Sequence, residues 1–182
     1  MSCLVYVDNS NVWIEGMHVS AVQKGLALDV WDAQSNRICD NSWRFDFGRL
    51  YEFAGGGDVK KAFLYGSRPP PNDSLWAVAK TKGFEVIVFD RNVANKEKKV
   101  DTRIAADMVE HAFTLAKLEE DEFTLVAGDT DFVPVIEKLR ARGYRVDVCF
   151  WRHASRELKH AATKFVELDP WLDYLALRKD HK

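Results

Sequence analysis

The chain has 182 residues, 47% of them hydrophobic and 30% charged, and a formal net charge of -2. This balance predicts an ordinary soluble globular protein, a single domain over residues 1–182 with room for a sizeable core, and it excludes a generally basic nucleic-acid binder while leaving room for a local basic rim. No apolar run approaches the ~20 residues of a membrane span, so no membrane partner is expected.

Residues 3–7, CLVYV, predict a first strand that ends at Asp8, with Asn9, Ser10 and Asn11 directly behind it. No basic leader or cleavage site precedes this strand, and the expected compartment is the cytoplasm. A helix is expected over residues 12–22. Residues 25–42 combine weak periodicity with several turn formers, which predicts an extended loop or insertion with a hairpin near Asn36. Residues 46–53 predict a short helix closed by Gly55, Gly56 and Gly57. A second strand over residues 59–65, a loop with three consecutive prolines, a helix over 73–82 and a strand over 84–89 follow. The polar segment 91–99 comes next. Strand and helix alternate, which argues for parallel strands in βαβ units.

The strongest apolar stripe, Ile104, Ala105, Met108, Val109, Ala112, Phe113 and Leu115, predicts a helix over residues 100–118 with Asp101 at its start. Residues 123–127, FTLVA, read as a buried parallel strand ended by Gly128, and Asp129 and Asp131 follow at its carboxyl end. Further elements are a helix over 132–142, a strand over 144–151, a short helix over 155–162 capped by Ser155, an edge strand over 165–168 and a terminal helix over 170–179. Cys3, Cys39 and Cys149 are widely spaced, and two lie in strand-like runs. They read as buried thiols rather than a disulfide or zinc set.

Strands of a parallel sheet point one way, so Asp8, Asp101, Asp129 and Asp131 are expected along one edge. Crowded carboxylates must raise their pKa values or recruit a cation, and oxygen-only ligands suit Mg²⁺ or Mn²⁺ together with phosphate substrates. Taken singly, each acid has an ordinary structural use: Asp8 as a turn former, Asp101 against a helix dipole, Asp131 as a helix cap. Asp107 lies six residues after Asp101, about 120° around the helix, and is assigned a supporting or structural role. The five histidines are scattered.

Four blocks carry a resemblance: VYVDNSN at residues 5–11, KKVDTRIAADM at 98–108, LVAGDTDFVPVIEKLRARGYRV at 125–146 and ASRELKHAATKFVEL at 154–168. In this order they resemble the NYN domain, a branch of the PIN-like nucleases that includes the LabA-like proteins. The resemblance implies a Rossmann-like, three-layer α/β fold with a mainly parallel central sheet, and a metal-dependent ribonuclease. On that reading Asp8, Asp101, Asp129 and Asp131 are catalytic and hold one or two Mg²⁺ or Mn²⁺ ions, with Asn11, Ser10 and Thr130 in support. The substrate, single-stranded RNA, would meet a rim of Arg68, Arg91, Lys96, Lys98, Lys99, Arg103, Arg152 and Arg156. Trp13, Trp76 and Trp151 fit either base stacking or the core.

Two alternatives compete with this reading. A non-cutting module would bind RNA or protein, the latter through Leu26, Leu28, Val30 and Trp31 in residues 25–42; a homodimer is also compatible with the sequence. A phosphatase of the haloacid dehalogenase type needs a second Asp two positions after the first, and Ser10 stands there.

Overall fold

The computed structural model describes residues 1–68, 74–90 and 96–178, with Arg68, Asp90 and residues 96–98 described by backbone alone. Its centre is a six-stranded parallel sheet in the order β3-β2-β1-β4-β5-β6, made by β1 (Ser2–Asp8), β2 (Val59–Arg68), β3 (Glu85–Asp90), β4 (Asp121–Val126), β5 (Val146–Phe150) and β6 (Lys164–Glu167). Alternate residues of β1 face opposite layers, as the two-residue period of a strand requires. Cys3, Val5 and Val7 pack with α1 (Asn9–Gln23), with α3 (Phe47–Gly55), which follows α2 (Val30–Asn36), and with α4 (Ser74–Thr81). Leu4 and Tyr6 pack with α5 (Lys96–Thr114), α6 (Val133–Ala141) and α7 (Arg156–Ala161). The result is an α/β three-layer fold.

The strand order places the chemistry. From β1 the chain moves out through β2 to β3, then crosses back to pair β4 with the other side of β1. That reversal opens a crevice beyond the carboxyl ends of β1 and β4, where doubly wound sheets take their ligands. Asp8 ends β1, and Asp129 lies three residues beyond Val126, the last residue of β4.

Besides shifts at element ends, where α1 starts at Asn9 rather than residue 12 and α5 runs Lys96–Thr114 rather than 100–118, three segments differ from the sequence expectation. Residues 30–36 form a helix rather than a loop or hairpin. Asp29 caps it by accepting from the Asp32 amide, Arg37 closes it at φ 55°, and Ala33 alone is buried, so the sequence shows no apolar stripe there. The second strand runs through to Arg68 because Gly66, Ser67 and Arg68 stay paired with Val88, Phe89 and Asp90 of β3. The terminal helix shrinks to a 3-10 turn, Asp169–Trp171, and α8 (Leu172–Leu175). Beyond it Ala176 forms an antiparallel bridge with Phe45, and the Asp46 amide donates to the Leu175 carbonyl at 2.8 Å, so the backbone pairs across rather than continuing to coil. The proline loop falls outside the described residues.

Gly128 joins β4 to the acidic turn, and space rather than torsion demands it. A Cβ there would lie 2.0 Å from the ring of Phe150, itself buried at the end of β5. Gly128→Ala should therefore destabilise the protein by roughly 1–3 kcal/mol, the usual range for overpacking a core. Urea denaturation measures this, and an unchanged midpoint would mean that the Phe150 ring swings aside freely.

Candidate metal centre

Each acid of the cluster is brought in by a different local device. Asp8 is buried where β1 becomes α1, and its Oδ1 caps the helix by accepting from the Asn11 amide at 3.3 Å. Asp101 arrives half-buried in the first turns of α5. Asp129 follows Gly128 and caps a 3-10 turn, Thr130–Phe132, its Oδ1 accepting from the Asp131 amide at 2.9 Å. Asp131 is exposed within that turn, and α6 has no side-chain cap. The capping role that the sequence offered to Asp131 thus belongs to Asp129. The reason is that the chain enters α6 through a 3-10 turn, which moves the capping position back by two residues.

Carboxylate oxygens of Asp101, Asp129 and Asp131 all lie within 4.8 Å of one another. Asp8 adjoins the group through a hydrogen bond to Asp101. Burial, that hydrogen bond and the charges of Asp8, Asp129 and Asp131 push the Asp101 carboxyl up to about 8. A carboxyl still protonated near neutral pH records negative charge without a matching cation. All donors are hard oxygens, and among the described residues no histidine or cysteine joins the set, so the residues fit Mg²⁺ or Mn²⁺.

The cluster forms one wall of a cavity of about 200 Å³, lined also by Ser10, Asn11, Glu15 and Ser67. On its outer side Asp101 and Asp131 border a wide groove between α5 and α6, floored by Ala105, Val109 and Val135. Asn11 gives its Oδ1 to the Gly128 amide at 2.9 Å, which ties the start of α1 to the turn carrying Asp129. Thr130 is exposed in that turn. Asp107 accepts from the Tyr65 hydroxyl and from Arg103 Nε, both at 2.8 Å, and thereby fastens α5 to β2.

Glu15 was not singled out in the sequence, although it stands four residues after Asn11 and so on the same helix face. Its Oε2 meets His153 Nε2 at 2.7 Å, Gln34 Nε2 at 2.9 Å and His18 Nδ1 at 3.4 Å. Burial alone would raise its pKa; the hydrogen bonds of His153 and Gln34 outweigh that and lower it. Only the fold reveals the partner, which comes from the loop after β5.

The structure divides the expected basic rim. Lys99 is exposed near the start of α5, and Arg156 is exposed at the start of α7. Arg103 is committed to Asp107, and Arg152 Nε pairs with Glu167 at 3.1 Å. The backbone puts Arg68 at the end of β2 and Lys96 and Lys98 in the first turn of α5, while Arg91 falls outside the described residues. Trp76 and Trp151 belong to the core, and Trp13 is half-buried.

A family model for the NYN domain matches residues 27–169, a span that holds Asp101, Asp129 and Asp131 and begins after Asp8. No curated protein matches the sequence. A crystal structure of a protein of unknown function from Vibrio parahaemolyticus RIMD 2210633 is similar over 96% of this chain and 95% of that one, with a TM-score of 0.68 and 21% identity. At that identity the likeness concerns the fold.

Crowding at Asp101 has a sign that stability measurements can read. Folding raises this carboxyl to about 8, so the native state keeps a proton that the unfolded chain releases near pH ~4. The group therefore lowers stability progressively as pH climbs between those two values, and no further above the higher one. In EDTA, Asp101→Asn is expected to melt above the wild type at pH 8, with the gap closing as pH falls toward 4. A gap that ignores pH, or a variant that melts lower, would contradict the crowding.

Proposed function

Because the chain belongs to the NYN domain family, we propose that it is a divalent-metal-dependent ribonuclease, hydrolysing phosphodiester bonds of single-stranded RNA in the crevice between β1 and β4. One observation carries the reading: three carboxylates within 4.8 Å of one another, with Asp8 at the end of β1 hydrogen-bonded to one of them, Asp101 of α5, at the carboxyl edge of the sheet. The family's place among PIN-like nucleases supports the reaction class, and the all-oxygen donor set supports Mg²⁺ or Mn²⁺.

Asp101, Asp129 and Asp131 would hold the ion, with Asp8 beside them. A hard divalent cation there supplies Lewis acidity toward a phosphate oxygen and toward water. The protein's own part is to set the donors in place before substrate arrives. Asp129 is fixed by its cap, Asp8 by the Asn11 amide, and the two turns are fixed to each other through Asn11 and Gly128. Asp101, whose carboxyl burial and the neighbouring acids keep protonated, would have to give up that proton to serve as a ligand, which makes its affinity for a cation pH-dependent. Lys99 and Arg156, and Lys96 and Lys98 by their backbone positions, supply cations for neighbouring phosphates. The groove between α5 and α6 gives the strand an exit past Asp131.

Asp131→Asn isolates chemistry from folding, since the cap is on Asp129 and the Asp131 amide that it holds is retained. The variant is expected to melt near wild type in EDTA and to cut single-stranded RNA at least ~100-fold more slowly with Mg²⁺ or Mn²⁺, in line with loss of an electrostatic catalytic group. Added Mn²⁺ should raise the wild-type melting temperature, because a ligand of the native state stabilises it. Equal cutting by Asp131→Asn would remove that residue from the site. A wild type that cuts no RNA in a varied panel with either metal would transfer the fold to the non-cutting, RNA-binding class.

A second expectation concerns the rim. Lys99→Ala should weaken RNA binding and reduce its salt slope by about one, as for one lost phosphate contact. Binding measured across a salt series checks it, and an unchanged slope would leave Lys99 as solvated surface.

A further inference from the structure

The first turn of α1 separates two cavities. Ser10, Asn11, Ile14 and Glu15 line the one beside the acids, whereas Asn9 and Trp13 line another, of about 270 Å³, on the face toward α3 and α4. Helical geometry explains the division: residues 9 and 13 share a face, and 10, 11, 14 and 15 occupy the next 140° or so around the helix. Asn9 is bonded directly to Asp8, so the two cavities stand one residue apart along the chain.

The second cavity has the chemistry of a site. Asn9 is 3% exposed and has no side-chain hydrogen-bond partner among the described residues. Its amide oxygen and nitrogen are not among the fully enclosed unpaired atoms, so the carboxamide keeps its hydrogen-bonding capacity for whatever occupies the cavity. It offers one acceptor and two donors, a pattern that complements the edge of a nucleobase. Around it stand Trp13, Phe45, Phe47 and Leu75, apolar and largely aromatic, together with Asp46, whose carboxylate accepts from the Arg49 amide and pairs with the Arg49 side chain. Arg44 and Lys82 are exposed at the lining, and neither has a carboxylate partner among the described residues. The volume is at the small end of ligand pockets and suits one planar ring system with its sugar rather than a paired duplex.

We propose that this cavity is a nucleobase subsite, in which Asn9 reads the edge of one unpaired base, the aromatic walls hold its faces, and Arg44 and Lys82 meet the adjoining phosphate. The proposal rests on the RNA-cutting reading for its substrate class and adds base selectivity to it. A base held beside Asn9 fixes which phosphate reaches Asp8, so the subsite selects the cutting position by sequence. An unpaired base is required, because in a duplex the edge that Asn9 would read is already engaged and the faces are stacked.

Binding of the four nucleoside 5′-monophosphates to the full chain in EDTA, followed by tryptophan fluorescence and by the Asn side-chain amide signals in NMR, tests the subsite apart from cutting. One base is expected to bind saturably and more tightly than the others. Asn9→Ala should lose that preference by about tenfold, the discrimination that one paired amide contact provides. Val78→Trp fills the cavity from a half-exposed position on α4 and should abolish nucleotide binding while leaving the Mn²⁺-dependent rise in melting temperature intact. Absence of saturable binding by any of the four, or an Asn9→Ala protein with unchanged preference, overturns the subsite. A wild type that binds nucleotides selectively but never cuts keeps the subsite and removes the nuclease, whereas one that cuts without base-selective binding does the opposite.

Discussion

Parallel pairing of β1 with β4 imposes the constraint on which the rest of the structure depends. Register alignment of Val7 with Val126 brings both strands to an end at the same level, so the acids that follow them cannot avoid one another. The electrostatic cost appears at Asp101, whose carboxyl burial and three neighbouring acids push up to about 8. A fold that holds such a cluster needs a frame stiff enough to resist its repulsion. That frame is visible: Asn11 ties the β1 turn to Gly128, Asp129 ties its own turn through the Asp131 amide, and Asp107 fastens α5 to Tyr65 of β2. The first bond joins the two acid-bearing turns, the second stiffens one of them, and the third anchors the helix that carries Asp101, so the cluster is held by its supports rather than by its own attraction.

The same frame explains why several polar residues near the site are unavailable for substrate. Arg103 would be an attractive phosphate ligand by position, yet its Nε is held by Asp107, and that pair is part of what orients α5. Arg152 is likewise held by Glu167 on β6. Among the described residues named for the rim, those without such duties are Lys99 near the start of α5 and Arg156 at the start of α7. On the proposed reading, a pronounced basic surface is not needed at a net charge of -2, provided that uncommitted cations lie around the acidic edge.

What the sequence made legible follows from how strongly each segment is buried. The strands and α5 were readable because burial on one or two faces enforces an apolar pattern, and the acids were readable because strand ends in parallel sheets converge by geometry. Residues 30–36 failed that test: a helix that buries only Ala33 leaves no stripe to detect. The terminal segment failed for a different reason, since its pairing partner, Phe45, lies 131 residues away in sequence and nothing local announces the bridge to Ala176. The cap that the sequence offers as an ordinary use of Asp131 falls to Asp129, because the 3-10 turn that shifts it is set by the path of the chain into α6. Glu15 and His153 are of the same kind, joined across most of the chain by a contact that no short-range pattern encodes.

The two cavities beside α1 extend this argument from position to selectivity. An acidic edge by itself attracts any cation and, through it, any phosphate, so it carries no sequence information. Selectivity has to come from groups that meet a base, and these must lie within about one nucleotide of the reacting phosphate to influence which bond is presented. Only elements anchored at the same strand end satisfy that distance with a fixed orientation. The first turn of α1 does so because successive helical residues point to different sides, sending Asp8 and Asn11 toward the acids and Asn9 toward the aromatic cavity. Burial of Asn9 to 3% exposure makes the arrangement rigid, since its carboxamide has little room to reorient without displacing the helix that also caps on Asp8. Charge binding and base reading would thus be coupled through a single turn, and a shift of that turn would alter both together.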